Sequence, residues 1–136
     1  MKQLLAFLAL SALPLSAHAA ALTPQIMSMN GIAPTYNAAN SGGDTFLNDG
    51  RTYVHIKNGS GGSLTVTFAS VASYTDNALG TITLSNLAVA VPAGAERIVG
   101  FFPLARFNDV NGRVSMTYSG VTSLTVAVVR AGKAYQ

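Results

Sequence analysis

The residues able to do chemistry are few and scattered. Past residue 19 the chain has one histidine, His55, and it has no cysteine at all. A general base needs a second group to orient it, and a nucleophile needs such a base beside it. His55 stands in mid-strand on the more polar side of an alternating segment, which reads as a surface position. A zinc site of the usual kind would need several His or Cys ligands, so no metal and no other cofactor is expected. The acids are Asp44, Asp49, Asp76, Glu96 and Asp109, and no two have a spacing that argues for a carboxylate pair. The chain also lacks Trp, the usual platform for stacking on a sugar ring, although Tyr can substitute. Asp109-Val110-Asn111-Gly112 has the flavour of a calcium loop. The EF-hand pattern, however, wants a ligand where Arg113 stands, places its glycine later and requires a distant Glu. A weak calcium site near Asp49 or Asp109 is the looser alternative; otherwise both acids close their own turns. Gly59-Ser60-Gly61-Gly62 is no phosphate loop, because no Lys-Ser/Thr follows it and no helix opens there. This inventory points away from an enzyme and predicts no catalytic residue.

The elements that would position these residues are strands. Arg51 to Lys57 alternates, with Val54 and Ile56 on one side and Tyr53, His55 and Lys57 on the other. Leu64, Val66 and Phe68 alternate likewise after the turn residues 58–62, so the two segments read as a hairpin with a long Gly-rich loop. Further strands are expected at Ile82–Leu84, continuing through Leu87–Val91 after a break at Ser85-Asn86, and at Ile98–Phe102, Val114–Tyr118 and Leu124–Val128. Period-2 alternation filled with Val, Ile and Thr dominates, and no stretch past the leader has a helical period. Six or seven short strands with regular turn signals predict an all-β chain, a single antiparallel β-sandwich or jelly-roll-like domain over residues 51–136. Residues 20–50 are rich in Pro, Gly, Asn and Ser and read as an extended N-terminal arm, with one short strand near Thr35-Tyr36.

Residues 1–19 read as a signal peptide. Lys2 is a short positive region, Leu4 to Leu15 an apolar one, and Ala17-His18-Ala19 offers small residues at both positions that a cleavage site needs. The apolar run falls short of the roughly 20 residues of a membrane span, so the expectation is export to the periplasm, cell surface or medium, with no membrane span. The formal charge of +3 is spread over single, scattered arginines. Nucleic-acid binding would call for clustered Lys and Arg, and none is expected. Only 10% of residues are charged while 49% are hydrophobic, which leaves a neutral surface of the kind that associates.

One segment breaks the alternation. In Ile98-Val99-Gly100-Phe101-Phe102, successive side chains of a strand must point to opposite faces, so Phe101 and Phe102 cannot both enter one core. One of them should face outward, with Ile98 or Val99 beside it and Leu104 near. Ile98, Phe101, Phe102 and Leu104 are therefore the candidate interface, unless the arm folds over that face.

Several stretches together resemble a known kind of protein. They are Leu22-Thr23-Pro24-Gln25, Gly31-Ile32-Ala33-Pro34-Thr35-Tyr36, Asn48-Asp49-Gly50-Arg51-Thr52, Val91-Pro92-Ala93-Gly94-Ala95-Glu96-Arg97, and Phe107-Asn108-Asp109 leading to Val114-Ser115-Met116-Thr117-Tyr118-Ser119. In this order they resemble small virion structural or head-decoration-type proteins of tailed bacteriophages and prophages. The resemblance implies a sandwich-like domain that docks on a capsid-like lattice or self-associates, with no catalytic residue. Such proteins work in the cytoplasm, so the leader departs from their pattern. The reading from another class is a secreted adhesin-like or glycan-binding β-sandwich module.

Overall fold

The computed structural model describes residues 18–78 and 80–132. The leader expected at 1–19 falls almost wholly outside them. The described residues are all-β, as expected: they form twelve strands and one short helix.

Two mixed sheets face each other across one core. The first contains β1 (Ala20–Leu22), β4 (Asp44–Leu47), β11 (Arg113–Tyr118), β6 (Leu64–Phe68) and β9 (Leu87–Val91), in that spatial order. The second runs β10 (Glu96–Gly100), β5 (Thr52–Asn58), β12 (Leu124–Arg130), β2 (Gln25–Ile26), and β3 (Asn37–Ala38) also pairs with β12. Alternation in the sequence becomes alternation in burial. Along β5, Val54 and Ile56 are fully buried while Tyr53, His55 and Lys57 are half-buried on the other face. Phe46, Val66, Phe68, Val91, Val114 and Met116 from the first sheet meet Val54, Ile56, Leu124, Val126 and Val128 from the second. Burying each such side chain contributes on the order of 1.5–3 kcal/mol, which is what draws the two sheets together.

Three expectations are corrected. First, β5 and β6 do not form a hairpin. β5 pairs with β10 and β12, and β6 with β9 and β11. Residues 59–63 instead carry the chain from one sheet to the other. Buried Asn58 fixes this passage: its Nδ2 donates to the carbonyls of Gly62 (2.8 Å) and Val91 (2.9 Å), and its Oδ1 accepts from the Ser60 amide (2.9 Å). Alternation shows that a segment is a strand but does not name its partner. Second, the strand expected at Ile82–Leu84 belongs to a separate two-stranded hairpin. Here β7 (Ser73–Asp76) pairs with β8 (Gly80–Thr83). The expected break at Ser85-Asn86 is present, where Asn86 Oδ1 accepts from the Ser70 amide at 2.9 Å. Third, residues 20–50 are more than an arm, since they supply β1 to β4. β1 on β4 and β2 on β12 are parallel pairs, so the sheets are mixed rather than antiparallel throughout. Strands of two to four residues are too short to show a period, which is why composition alone suggested an irregular segment.

Candidate functional site

The second sheet has an outer face, turned away from the core. Register puts Glu96, Ile98 and Gly100 of β10 opposite Lys57, His55 and Tyr53 of β5. Paired residues point the same way, so all six lie on this face. Ile98 is 67% exposed and Phe101 60%, and the Phe101 ring meets the Tyr53 ring edge-on at 6.2 Å between centroids. Leu104, also exposed, opens the helix α1 (Leu104–Phe107). Three of the four candidate interface residues are thus exposed. Phe102 is a correction: it is 1% exposed and packs among Phe46, Phe68 and Phe107, with ring centroids 5.4, 4.9 and 5.6 Å away.

The outward-and-inward split of the two phenylalanines has a different origin from strand alternation. The strand ends at Gly100, and both rings lie in the segment after it. Gly100 has φ of 153°, and a Cβ there would stand 2.7 Å from the Tyr53 Cβ and 2.9 Å from the Thr52 carbonyl oxygen. Only glycine fits this turn away from the strand. The segment is then held by Asn48, whose buried Nδ2 donates to the Phe102 carbonyl (2.9 Å) and to Asn108 Oδ1 (2.7 Å). Asn108 Nδ2 donates back to the Asn48 carbonyl (2.9 Å). Sequence reasoning missed both asparagines. An Asn in a turn is ordinary chemistry, and nothing local marks one whose amide reaches sixty residues along the chain.

His55 is not the plain surface residue expected. Its side chain is 19% exposed. Tyr36 Oη lies 2.7 Å from its Nδ1, and Glu96 Oε2 lies 2.8 Å from its Nε2. Lys57 Nζ is 3.4 Å from Glu96 Oε1 and 4.4 Å from the centre of the Tyr36 ring. The hydrogen bond from His55, with help from Lys57, holds the Glu96 carboxyl below its ordinary range against partial desolvation. Desolvation lowers the Lys57 ammonium, but the bond to Tyr36 and the charge of Glu96 outweigh it and leave the group raised. Tyr36 directly precedes β3, which pairs with β12. To reach His55 on β5 its side chain crosses β12 above Ala127, the residue opposite His55 and itself fully buried. The arm therefore does cover this face over β12, but not over Ile98 and Phe101. Both ring nitrogens of His55 are occupied in this latch, so neither is free to take a proton from a substrate.

The other acids sit in separate groups. Asp49 Oδ2 accepts from Arg51 Nη2 (2.6 Å) and Arg130 Nε (2.8 Å). Desolvation raises its carboxyl, but these two arginines overcome it and hold it at about 2. Beside Asp49 is a cleft of about 350 Å³ lined by Pro24, Ile26, Leu47 and Arg130. Asp109 closes its own turn, its Oδ1 accepting from the amides of Asn111 (2.8 Å) and Arg113 (2.9 Å). Asp44 is buried and accepts from the Tyr118 hydroxyl, and burial together with that carboxylate pushes the Tyr118 hydroxyl far up. Among the described residues no group of three His, Cys, Asp or Glu could hold a metal ion. No helix among them is long and apolar enough to cross a membrane.

Compared with known proteins, the chain matches no family model, no curated protein and no solved structure.

Proposed function

We propose that this chain is an exported, non-enzymatic structural protein, a β-sandwich of the virion-decoration type that acts by docking on an assembly. The observation that carries the reading is the apolar exposure at and just after β10, where Ile98, Phe101 and Leu104 are all exposed. Exposed apolar clusters of this kind mark protein contacts. Four titratable groups support the same reading, because they are engaged in holding the fold: His55 and Glu96 in the latch, Asp49 with its arginines, Asp109 in a turn. The low charge noted above favours association over steering of a charged ligand.

The test is sedimentation of the exported fraction. The protein is expected to pellet with particles, and Phe101→Ser to remain in the supernatant while melting within about 4 °C of the wild type, since a surface change costs about 0.5 kcal/mol or less. A wild-type protein that stays soluble and is retained on immobilised glycans would overturn the docking reading in favour of a sugar-binding module.

A further inference from the structure

Edge strands carry unpaired backbone groups that invite another strand, and β10 is such an edge. Among the described residues its only partner is β5. The Asn58 amide donates to the Ala95 carbonyl at 3.0 Å. In an antiparallel ladder, hydrogen-bonded and non-bonded pairs alternate. The bonded pairs are therefore Arg97 with Ile56 and Val99 with Val54. Glu96, Ile98 and Gly100 turn their N–H and C=O groups away from β5, toward the open edge. One of these carbonyls, that of Glu96, accepts from the Arg97 guanidinium at 2.8 Å; among the described residues Ile98 and Gly100 have no such side-chain cap.

We propose that β10 pairs antiparallel with β10 of a second copy, about a two-fold axis through Ile98, joining the two second sheets into one. This rests on the docking reading above and names its partner. The strand is self-complementary about that point. Ile98 faces Ile98 of the second copy, and the two exchange both backbone hydrogen bonds. Glu96 faces Gly100, which has no side chain, so no like charges meet. Arg97 faces Val99, which is half-buried at the open side of the core, and its aliphatic stem covers that side. On the outer face the two Ile98 side chains lie together, with a Phe101 beyond each end of the paired strands. A two-fold interface uses the same patch on both copies, and a patch whose charged residues fall opposite uncharged ones meets that condition. In the separate chain the Arg97 guanidinium caps the Glu96 carbonyl; on pairing it swings aside.

The test uses the purified full chain and single cysteine variants, since the sequence has no cysteine. Analytical ultracentrifugation should show a concentration-dependent dimer. Ile98→Lys, which sets two ammonium groups on the axis, should weaken it at least tenfold without lowering the melting temperature. Under mild oxidation with oxidised glutathione, Ile98→Cys should cross-link into a dimer, because paired Cα atoms lie about 5.5 Å apart, within disulfide range. Glu96→Cys should not, because its two copies would be about 13 Å apart along the strands. A dimer unaffected by Ile98→Lys, or equal cross-linking through Glu96→Cys, overturns the pairing. A wild-type chain that is monomeric in isolation yet pellets with particles through Phe101 overturns the pairing and leaves the docking reading standing. Loss of particle binding as well removes both.

Discussion

The two flanks of the molecule handle the same problem in opposite ways. A two-sheet stack has edges on both sides. On one side the N-terminal residues blunt them with short strands: β1, three residues long, pairs alongside β4, and β2 and β3, two residues each, pair alongside β12. Tyr36 then reaches across to His55, and Arg130 at the end of β12 is tied to Asp49. On the other side stand the five-residue β9 and β10, which among the described residues pair on one edge each, and the half-buried Val89 and Val99 mark the rim of the core there. Satisfying backbone groups within the chain makes a flank part of the fold, whereas leaving them open makes it a surface for something else. Stability and association should accordingly map to different flanks.

The sharpest contrast lies within one dipeptide. Phe102→Ala removes a ring packed against three others and should lower stability by about 3–5 kcal/mol. Phe101→Ala, on the open side, should change it by less than about 0.5 kcal/mol. Denaturant unfolding of the two variants measures both, and comparable losses would erase the distinction between core and docking face.

On the closed flank the effects should be smaller and local. Tyr36→Phe deletes one hydrogen bond to His55 and should cost about 1 kcal/mol. Amide exchange should quicken at Ala39, whose N–H donates to the Leu124 carbonyl, and stay unchanged at Ile56 in the middle of β5. Uniform quickening would mean that the latch supports the whole fold rather than the arm.

The smallest effect concerns Asp49. Its carboxyl is held at about 2, below the ordinary 3.8, so the ionised form is favoured in the folded state. The resulting stabilisation is complete above about pH 4 and is lost as pH falls through 2. The pair is partly exposed, so Asp49→Asn should cost no more than about 1 kcal/mol at pH 7. The difference between variant and wild type should shrink toward zero by pH 2. A difference that persists in acid would assign the role of Asp49 to its turn geometry instead of its charge.

Much of the fold was legible before any coordinates. The strands from Thr52 to Asn58, Leu64 to Phe68, Leu87 to Val91, Arg113 to Tyr118 and Leu124 to Arg130 announce themselves by alternation, because a sheet with one buried face imposes a two-residue period on its side chains. That Phe101 and Phe102 part ways was expected from strand alternation, and one of them does point outward, but the strand ends at Gly100 before either of them. The identity of the outward one was not legible, because it depends on the turn at Gly100 and on the reach of Asn48. Tertiary structure alone also decided that β5 and β6 part company, that residues 20–50 close a flank, and that His55 joins Tyr36 and Glu96. Each of these is a choice of partner between residues far apart in the chain. A local pattern records which face of a segment is apolar, but the element it meets is set by the competition among all surfaces that could cover that face.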